Sequence, residues 1–437
     1  MKSRRLPSGY SDPVSFSCTC PASSNPSRGL VLLFYRYFTA LPPLPGYEAG
    51  GDSISLAAFH TRLTQKYSLG GKIRIATEGF NVTVGGTKED IEAYMKECIT
   101  HWSFQGLDLD TEQKQRNFFK PTPGGCACAF GGLPASVRIS SEITPMGVTN
   151  YVPKEWGNIE TLSPEEFHER CHTEANTVLL DVRNHYESRI GYFVDPRTGQ
   201  PALRPLIRRF SQWPQYVRKY MTGDASEDVI GKEKDIEQGR QILTFCTGGI
   251  RCEKAARYMQ ENMSKLPGDK VCNLKGGIAS YIMWMDEEIR QGRKRADESL
   301  FKGRNFVFDA RGSTALEEGS EPVSTCHDCG ISSDRLSKCR SKGCHLVLVV
   351  CSDCEDSKDP RCCQSCLDMD ISQGLDLRTT PRPVCTCEKE REAELWDGAP
   401  PAKLPKSKST SGNKARSRGL DDIDTKVNIN IKVNTID

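Results

Sequence analysis

The sequence predicts an α/β protein: a parallel-sheet domain, preceded by an α+β domain and followed by a cysteine-rich, zinc-binding module. Three observations carry this. Strand-length apolar runs alternate with amphipathic helical segments from about Asn158 to Arg295. An earlier stretch, Leu30 to Gly147, mixes strand and helix periods in a different order. Eleven of the 20 cysteines fall between Cys326 and Cys387. A chain of 437 residues, 37% apolar and 27% charged, has material for roughly two to four domains. Its formal charge of +2 gives no overall bias towards nucleic acid, so any basic surface must be local. No stretch approaches the roughly 20 apolar residues of a membrane span, and no membrane partner is expected.

Residues 1–29 are basic and rich in Ser and Pro, with Asp12 the single acid. They read as a disordered or targeting tail. In the unit over 30–148, VLLFYRYF (Val31 to Phe38) is a strand, and Leu56, Phe59, Leu63 and Tyr67 recur at helical spacing. KIRIA (Lys72 to Ala76) alternates, a Gly79-Phe80-Asn81 turn leads into a paired strand, and Ile91, Tyr94, Met95 and Cys98 mark a second helix. VRISSEI (Val137 to Ile143) closes the unit, giving the β-α-β-β-α-β order of a ferredoxin-like sandwich. Over 158–298, Ser163 and Pro164 start a helix, and TVLLDVRN (Thr177 to Asn184) is a buried strand. Asn184 to Glu187 has capping-box spacing. QILTFC (Gln241 to Cys246) feeds a glycine loop and a helix, and KVCNL (Lys270 to Leu274) leads through Gly276-Gly277 into another. The irregular stretch Gly191 to Gly239 is an insertion with a short helix near Trp213 and Tyr216. Residues 299–324 read as a linker, 325–390 as the cysteine-rich module and 391–437 as a disordered tail.

Cys246 opens the loop CTGGIRC, at the carboxyl end of a parallel strand, where open α/β sheets bind their ligands. Gly248 and Gly249 let successive backbone N–H groups point inward as an anion nest. The following helix adds its positive end and Arg251 a full charge. Together these favour a nucleophilic thiolate, and the same cradle suits a persulfide. A cysteine phosphatase loop is similar but one residue longer; the loop length and the paired glycines favour sulfur chemistry.

LDVRNHYESRIGYF, CTGGIRCEKA and NLKGGIASY resemble the signature, active loop and closing turn of rhodanese domains. With KIRIATEGFNVTVGGT in the first unit and RRFSQWPQYV in the insertion, the chain resembles the bacterial tRNA uridine hydroxylase family over roughly Leu30 to Cys366. That resemblance implies an acylphosphatase-like first domain, a rhodanese-like catalytic domain, and oxygen-dependent conversion of the wobble uridine of tRNA to 5-hydroxyuridine. Its essential cysteine corresponds to Cys246. The oxidant or redox cofactor is unknown. The rival activity is thiosulfate sulfur transfer or persulfide carriage with a small sulfur donor, and the non-enzymatic rival is a zinc-scaffolded adaptor.

Around Cys246 and Arg251, the active loop comprises Thr247, Gly248, Gly249, Ile250 and Cys252. Arg251 is expected to contact a substrate anion, and Cys252 is either a resolving thiol or a small helix residue. Asp181 and Arg183 are expected as a supporting ion pair, and Gly276 and Gly277 as points of close backbone approach. In the module, Cys326/Cys329, Cys339/Cys344, Cys351/Cys354 and Cys363/Cys366 match two structural zinc sites. Their pairing is open, and Cys385 and Cys387 are spare or substitute ligands. A tRNA partner would meet Arg208, Arg209, Arg293, Lys294 and Arg295. The absence of an apolar leader suggests the cytoplasm, with chloroplast or mitochondrion as the alternative.

Overall fold

The computed structural model describes residues 29–46, 52–123, 134–148, 151–174, 176–222, 239–263, 268–309, 311–341, 344, 346–371 and 385–396. Of the tails expected at 1–29 and 391–437, residues 1–28 and 397–437 lie outside the described residues, as does 223–238 of the insertion.

The first unit runs β1 (Gly29–Tyr37), α1 (Ser53–Lys66), β2 (Gly70–Ala76), β3 (Gly79–Thr87), α2 (Lys88–Thr100), α3 (Glu112–Phe119), β4 (Thr122–Pro123) and β5 (Ser136–Ile139). Its sheet has the order β4-β1-β3-β2-β5, with β1 and β2 antiparallel to β3. Alternation sets the faces: Ile73 and Ile75 enter the core while Lys72 and Arg74 face water. Asp52 caps α1 and Thr87 caps α2, each through a side-chain oxygen that accepts backbone N–H groups. Two details differ from expectation. The residues from Val137 form β5, which pairs parallel to β2 at the outer edge, while the short β4 takes the place beside β1. The expected turn at 79–81 is already strand, and Phe80 is fully buried. The turn is Thr77-Glu78, because Gly79 packs so closely that a Cβ there would lie 1.9 Å from the Arg36 carbonyl oxygen.

The second unit contains β6 (Glu160–Leu162), α4 (Pro164–Thr173), β7 (Thr177–Asp181), β8 (Gly191–Phe193), α5 (Trp213–Tyr220), β9 (Gln241–Phe245), α6 (Ile250–Asn262), β10 (Lys270–Leu274) and α7 (Gly277–Arg290). A four-stranded parallel sheet has the order β6-β10-β9-β7. Both faces are covered: Leu180 and Ile242 pack with Trp213, Ala255 and Met259, while Leu243 and Phe245 pack with Phe167, Phe193 and Tyr281. This double burial accounts for the apolar character of QILTF. Ser163 and Glu166 form a complete capping box at α4, with Pro164 in the first turn.

After α7 come β11 (Phe301–Gly303), β12 (Asn305–Phe306), β13 (Ser313–Thr314), β14 (Leu336–Lys338), β15 (Val347–Val349), α8 (Ser352–Ser357), α9 (Gln364–Ile371) and α10 (Thr386–Trp396). The stretch expected as a linker, 299–324, is thus partly strand. β11 pairs with β8, and Leu300 and Phe301 enter the core beside Phe193. Leu300, Phe301, Phe306 and Val307 are buried, and the surrounding polar and Gly residues masked them in the composition. The residues from 391 to Trp396 continue α10 rather than beginning a disordered tail. Among the described residues no helix is long and apolar enough to cross a membrane.

Candidate active site

Cys246 lies directly after β9, at the carboxyl end of the parallel sheet, and is fully buried. The chain turns through Gly249, at φ +97°, straight into α6, so the helix begins against the sulfur. The Gly249 N–H donates to Cys246 Sγ at 3.2 Å, and the amides of Arg251 and Cys252 also reach the sulfur. Burial works to raise the Cys246 pKa, but the Cys252 S–H, the Arg251 charge and these amides outweigh it and bring it to about 6. Burial and the Cys246 charge push Cys252 the other way, so it remains a protonated donor. Gly248 is pressed against the first unit, where an added Cβ would lie 2.9 Å from Leu33 Cδ2. The Ile250 carbonyl accepts from Tyr37 Oη at 3.3 Å.

Arg251 is buried. Its guanidinium donates to both carboxylate oxygens of Glu187 at 2.7 and 2.6 Å, and to Thr247 Oγ1 at 3.0 Å, all within the interior. Glu187 and Thr247 thus hold the guanidinium within the loop, and its charge is felt at Cys246. Glu187 is the group the sequence reading missed. Its carboxylate does reach back to the Asn184 N–H at 3.2 Å, as capping-box spacing requires, but only a single 3-10 turn follows. Burial beside Arg251 gives it a second task that spacing alone could not show. Asp181 and Arg183 form a buried two-pronged pair, with Arg183 also donating to the Gly191 carbonyl at 2.7 Å. They hold the loop after β7.

Gly276 and Gly277, at φ +69° and +65°, bring the β10–α7 turn onto the Cys246 loop. A Cβ on Gly277 would lie 2.3 Å from the Cys246 carbonyl oxygen and 2.7 Å from Gly249 N. Gly277→Ala should lose about 1–3 kcal/mol from backbone conformation alone, and more from displacing the loop. Thermal unfolding together with the rate of Cys246 alkylation measures both; unchanged values would contradict this packing.

The first unit covers the loop with charge as well as bulk. Tyr35 Oη donates to Glu253 Oε1 at 3.2 Å, and Lys254 Nζ lies 3.1 Å from Glu78 and 2.6 Å from Glu142. Lys120, the left-handed C-cap of α3, places its ammonium 5.6 Å from the centre of the Tyr35 ring. Burial lowers its pKa to about 8, against the pull of the Cys246 thiolate, which favours the ammonium. The charges of Cys246 and Lys120 thus interact across the two units. No local pattern could have revealed this, since Lys120 and Cys246 belong to different sheets.

The cysteine-rich module gathers its thiols into groups. Cys326, Cys329, Cys351 and Cys354 have all four sulfurs within 4.8 Å of one another, as do Cys339, Cys344, Cys362 and Cys366. Pairing is therefore interleaved, and Cys362 rather than Cys363 completes the second group. Cys363 turns instead towards Ser365 Oγ at 3.4 Å. A third group joins Cys362, Cys363, Cys385 and Cys387. Backbone N–H groups of Cys351 and Cys362 donate to Cys326 and Cys339 sulfurs at 3.3 and 3.4 Å. Sulfurs bound to one zinc at about 2.3 Å stand about 3.8 Å apart, and Cys329–Cys351 and Cys344–Cys362 are at 3.6 and 3.7 Å. These clusters can hold metal ions.

Residues 30–122 match the family described as UPF0176 acylphosphatase like domain, and 302–367 match Rhodanase C-terminal. A tRNA uridine(34) hydroxylase of Leptospira interrogans is 29% identical over 313 residues, 70% of this chain and 72% of that one. One of Staphylococcus haemolyticus is 29% identical over 77% of this chain and 88% of its own. The chain resembles the tRNA uridine(34) hydroxylases. Rhodanese-like domain-containing protein 6 of Arabidopsis thaliana is 30% identical over 77% of this chain, which spans 52% of that longer protein.

Beside these hydroxylase relatives, the basic residues take two kinds of position. Arg208 is held within the structure: it pairs with Glu388 of α10 at 3.0 Å and donates to the Cys344 carbonyl, tying the segment before α5 to the cysteine-rich module. Arg209 is exposed. Arg293 and Arg295 make surface pairs with Glu288 and Asp297, and Lys294 Nζ lies 5.8 Å from the centre of the Trp284 ring. They follow the far end of α7, roughly 20 Å along that helix from the Cys246 loop.

Proposed function

We propose that the chain hydroxylates the wobble uridine of tRNA to 5-hydroxyuridine, with the Cys246 thiolate as the reacting group. The observation that carries this is a buried thiolate held by the Gly249 N–H at 3.2 Å, its pKa brought to about 6 by its loop, in a chain similar to hydroxylases over most of its length. A soft thiolate adds readily to an electron-poor pyrimidine ring. Such an addition places negative charge on the uracil, where the Lys120 ammonium can balance it. Glu187 and Arg251 hold the loop in shape, and Cys252 donates to the sulfur. Replacing C–H by C–OH is a two-electron oxidation: one atom of dioxygen enters the ring, and the other leaves as water, taking two protons and two electrons from an external thiol-class reductant. Arg209, Arg293, Lys294 and Arg295 meet phosphates of the tRNA. Surface pairs such as those of Arg293 and Arg295 hold by only about 0–1 kcal/mol, so a phosphate can displace their carboxylates. Arg208 is left out, because Glu388 already holds it. The cysteine groups bind zinc in a structural role, since each has its full four sulfur ligands. The described cysteines, all free thiols, suit a reducing compartment such as the cytoplasm.

Nucleoside mass spectrometry of tRNA from cells with and without the chain tests the reading. Loss of 5-hydroxyuridine is expected, and an unchanged level would sink it. Thiosulfate sulfur transfer rests on one observation, the amide cradle that would also hold a persulfide; turnover of thiosulfate and cyanide by the purified protein favours that alternative.

Cys246 and Lys120 also set a pH window. Activity should fall below about pH 6 as Cys246 takes up a proton, and above about pH 8 as Lys120 loses one. Lys120→Met should abolish the alkaline limb, shift the acid limb upward, and cost about 10²-fold in rate. A variant with the wild-type profile would remove Lys120 from the site.

A further inference from the structure

Cys362 has more sulfur neighbours than one metal site allows. Its Sγ lies 3.3 Å from Cys366, 3.7 Å from Cys344, 3.5 Å from Cys387, 3.8 Å from Cys385 and 3.9 Å from Cys363. Cys339 completes the first of its two groups within 4.8 Å. A ligand at one corner of a tetrahedron has three companions at the corner-to-corner spacing, and no more. The six neighbours of Cys362 divide into two sets of three: Cys339, Cys344 and Cys366 on one side, and Cys363, Cys385 and Cys387 on the other. Two tetrahedra sharing one corner have this arrangement. A thiolate sulfur has the lone pairs to bind two cations at once.

We propose that the cysteine-rich module binds three zinc-class divalent ions rather than two, with the Cys362 thiolate bridging the second and third. This rests on the reading that the module takes metal at all. The local chain suits the bridge. Cys362 and Cys363 are adjacent, Cys366 lies in the first turn of α9, and Cys385 and Cys387 flank the start of α10. The Thr386 N–H donates to Ser365 Oγ at 2.8 Å, which seats the start of α10 against α9. Sharing one sulfur lowers the number of thiolates from eight to seven for two ions, and so reduces the negative charge in a half-buried site. The third ion fixes α10, and with it Glu388, the partner of Arg208. Through that pair the bridged centre reaches the segment before α5 in the sheet domain.

The test uses the full chain purified without chelator. Elemental analysis should give three zinc ions per chain. After exchange with cadmium-113, the NMR spectrum should show three signals, two of them split by coupling through the shared sulfur. Two ions per chain, or three signals with no mutual splitting, overturns the bridge while leaving a metal-binding module. A folded protein that binds none overturns the metal reading as well. The double variant Cys385→Ser/Cys387→Ser should lower the content from three ions to two; a count still at three also overturns the proposal.

Discussion

Cys246→Ala should lower wobble-uridine hydroxylation by on the order of 10³-fold or more and leave the fold intact. The sulfur is fully buried and meets three backbone amides, a neighbouring S–H and a guanidinium charge, all arranged for the anion. Alanine removes the anion and keeps the small volume, so the surrounding loop has no reason to collapse. Cys246→Ser keeps an atom that can accept the Gly249 N–H, but a hydroxyl in this cradle stays protonated at neutral pH. It should be nearly as inactive as alanine. Steady-state rates on tRNA, with circular dichroism as a control for folding, check both variants. Activity within tenfold of wild type in either one would remove Cys246 from the chemistry.

The second large effect is on stability. Glu187→Ala should cost about 3–5 kcal/mol, because it leaves Arg251 charged and unpaired in the interior. Both side chains are buried, and the two hydrogen bonds at 2.7 and 2.6 Å account for the carboxylate's hold on the guanidinium. Glu187→Gln keeps the shape and one acceptor and should lose less. Combining Glu187→Ala with Arg251→Met should recover part of the loss, since the stranded charge is gone. Denaturant unfolding measures all three. A Glu187→Ala chain as stable as wild type would show that the pair does not brace the loop.

What the sequence made legible follows from how local each feature is. The Cys246 loop is contiguous: strand, cysteine, paired glycines and helix succeed one another within a few residues, and the structure keeps that order. The helix start at Ser163 and Pro164 was readable for the same reason. Glu187 was visible only as a cap, because its partner Arg251 is 64 residues away. Lys120 and Tyr35 were invisible, since they meet the loop only after two separate sheets have packed together. Cys362 and Cys363 are neighbours with identical side chains, and only the backbone direction entering α9 decides which of them enters the second group. β11 was hidden by its surroundings: Phe301 is buried beside Phe193, within a stretch whose average composition is polar.

The central claim is that this thiolate serves to place oxygen, not sulfur, on a tRNA uridine. It is tested most directly by incubating the purified chain with tRNA lacking 5-hydroxyuridine under ¹⁸O-labelled dioxygen, then sequencing the product by mass spectrometry. One labelled oxygen on the wobble uridine, absent with Cys246→Ala, is the predicted result. Sulfur on that uridine, or a wobble uridine left unlabelled by an active preparation, would contradict the account.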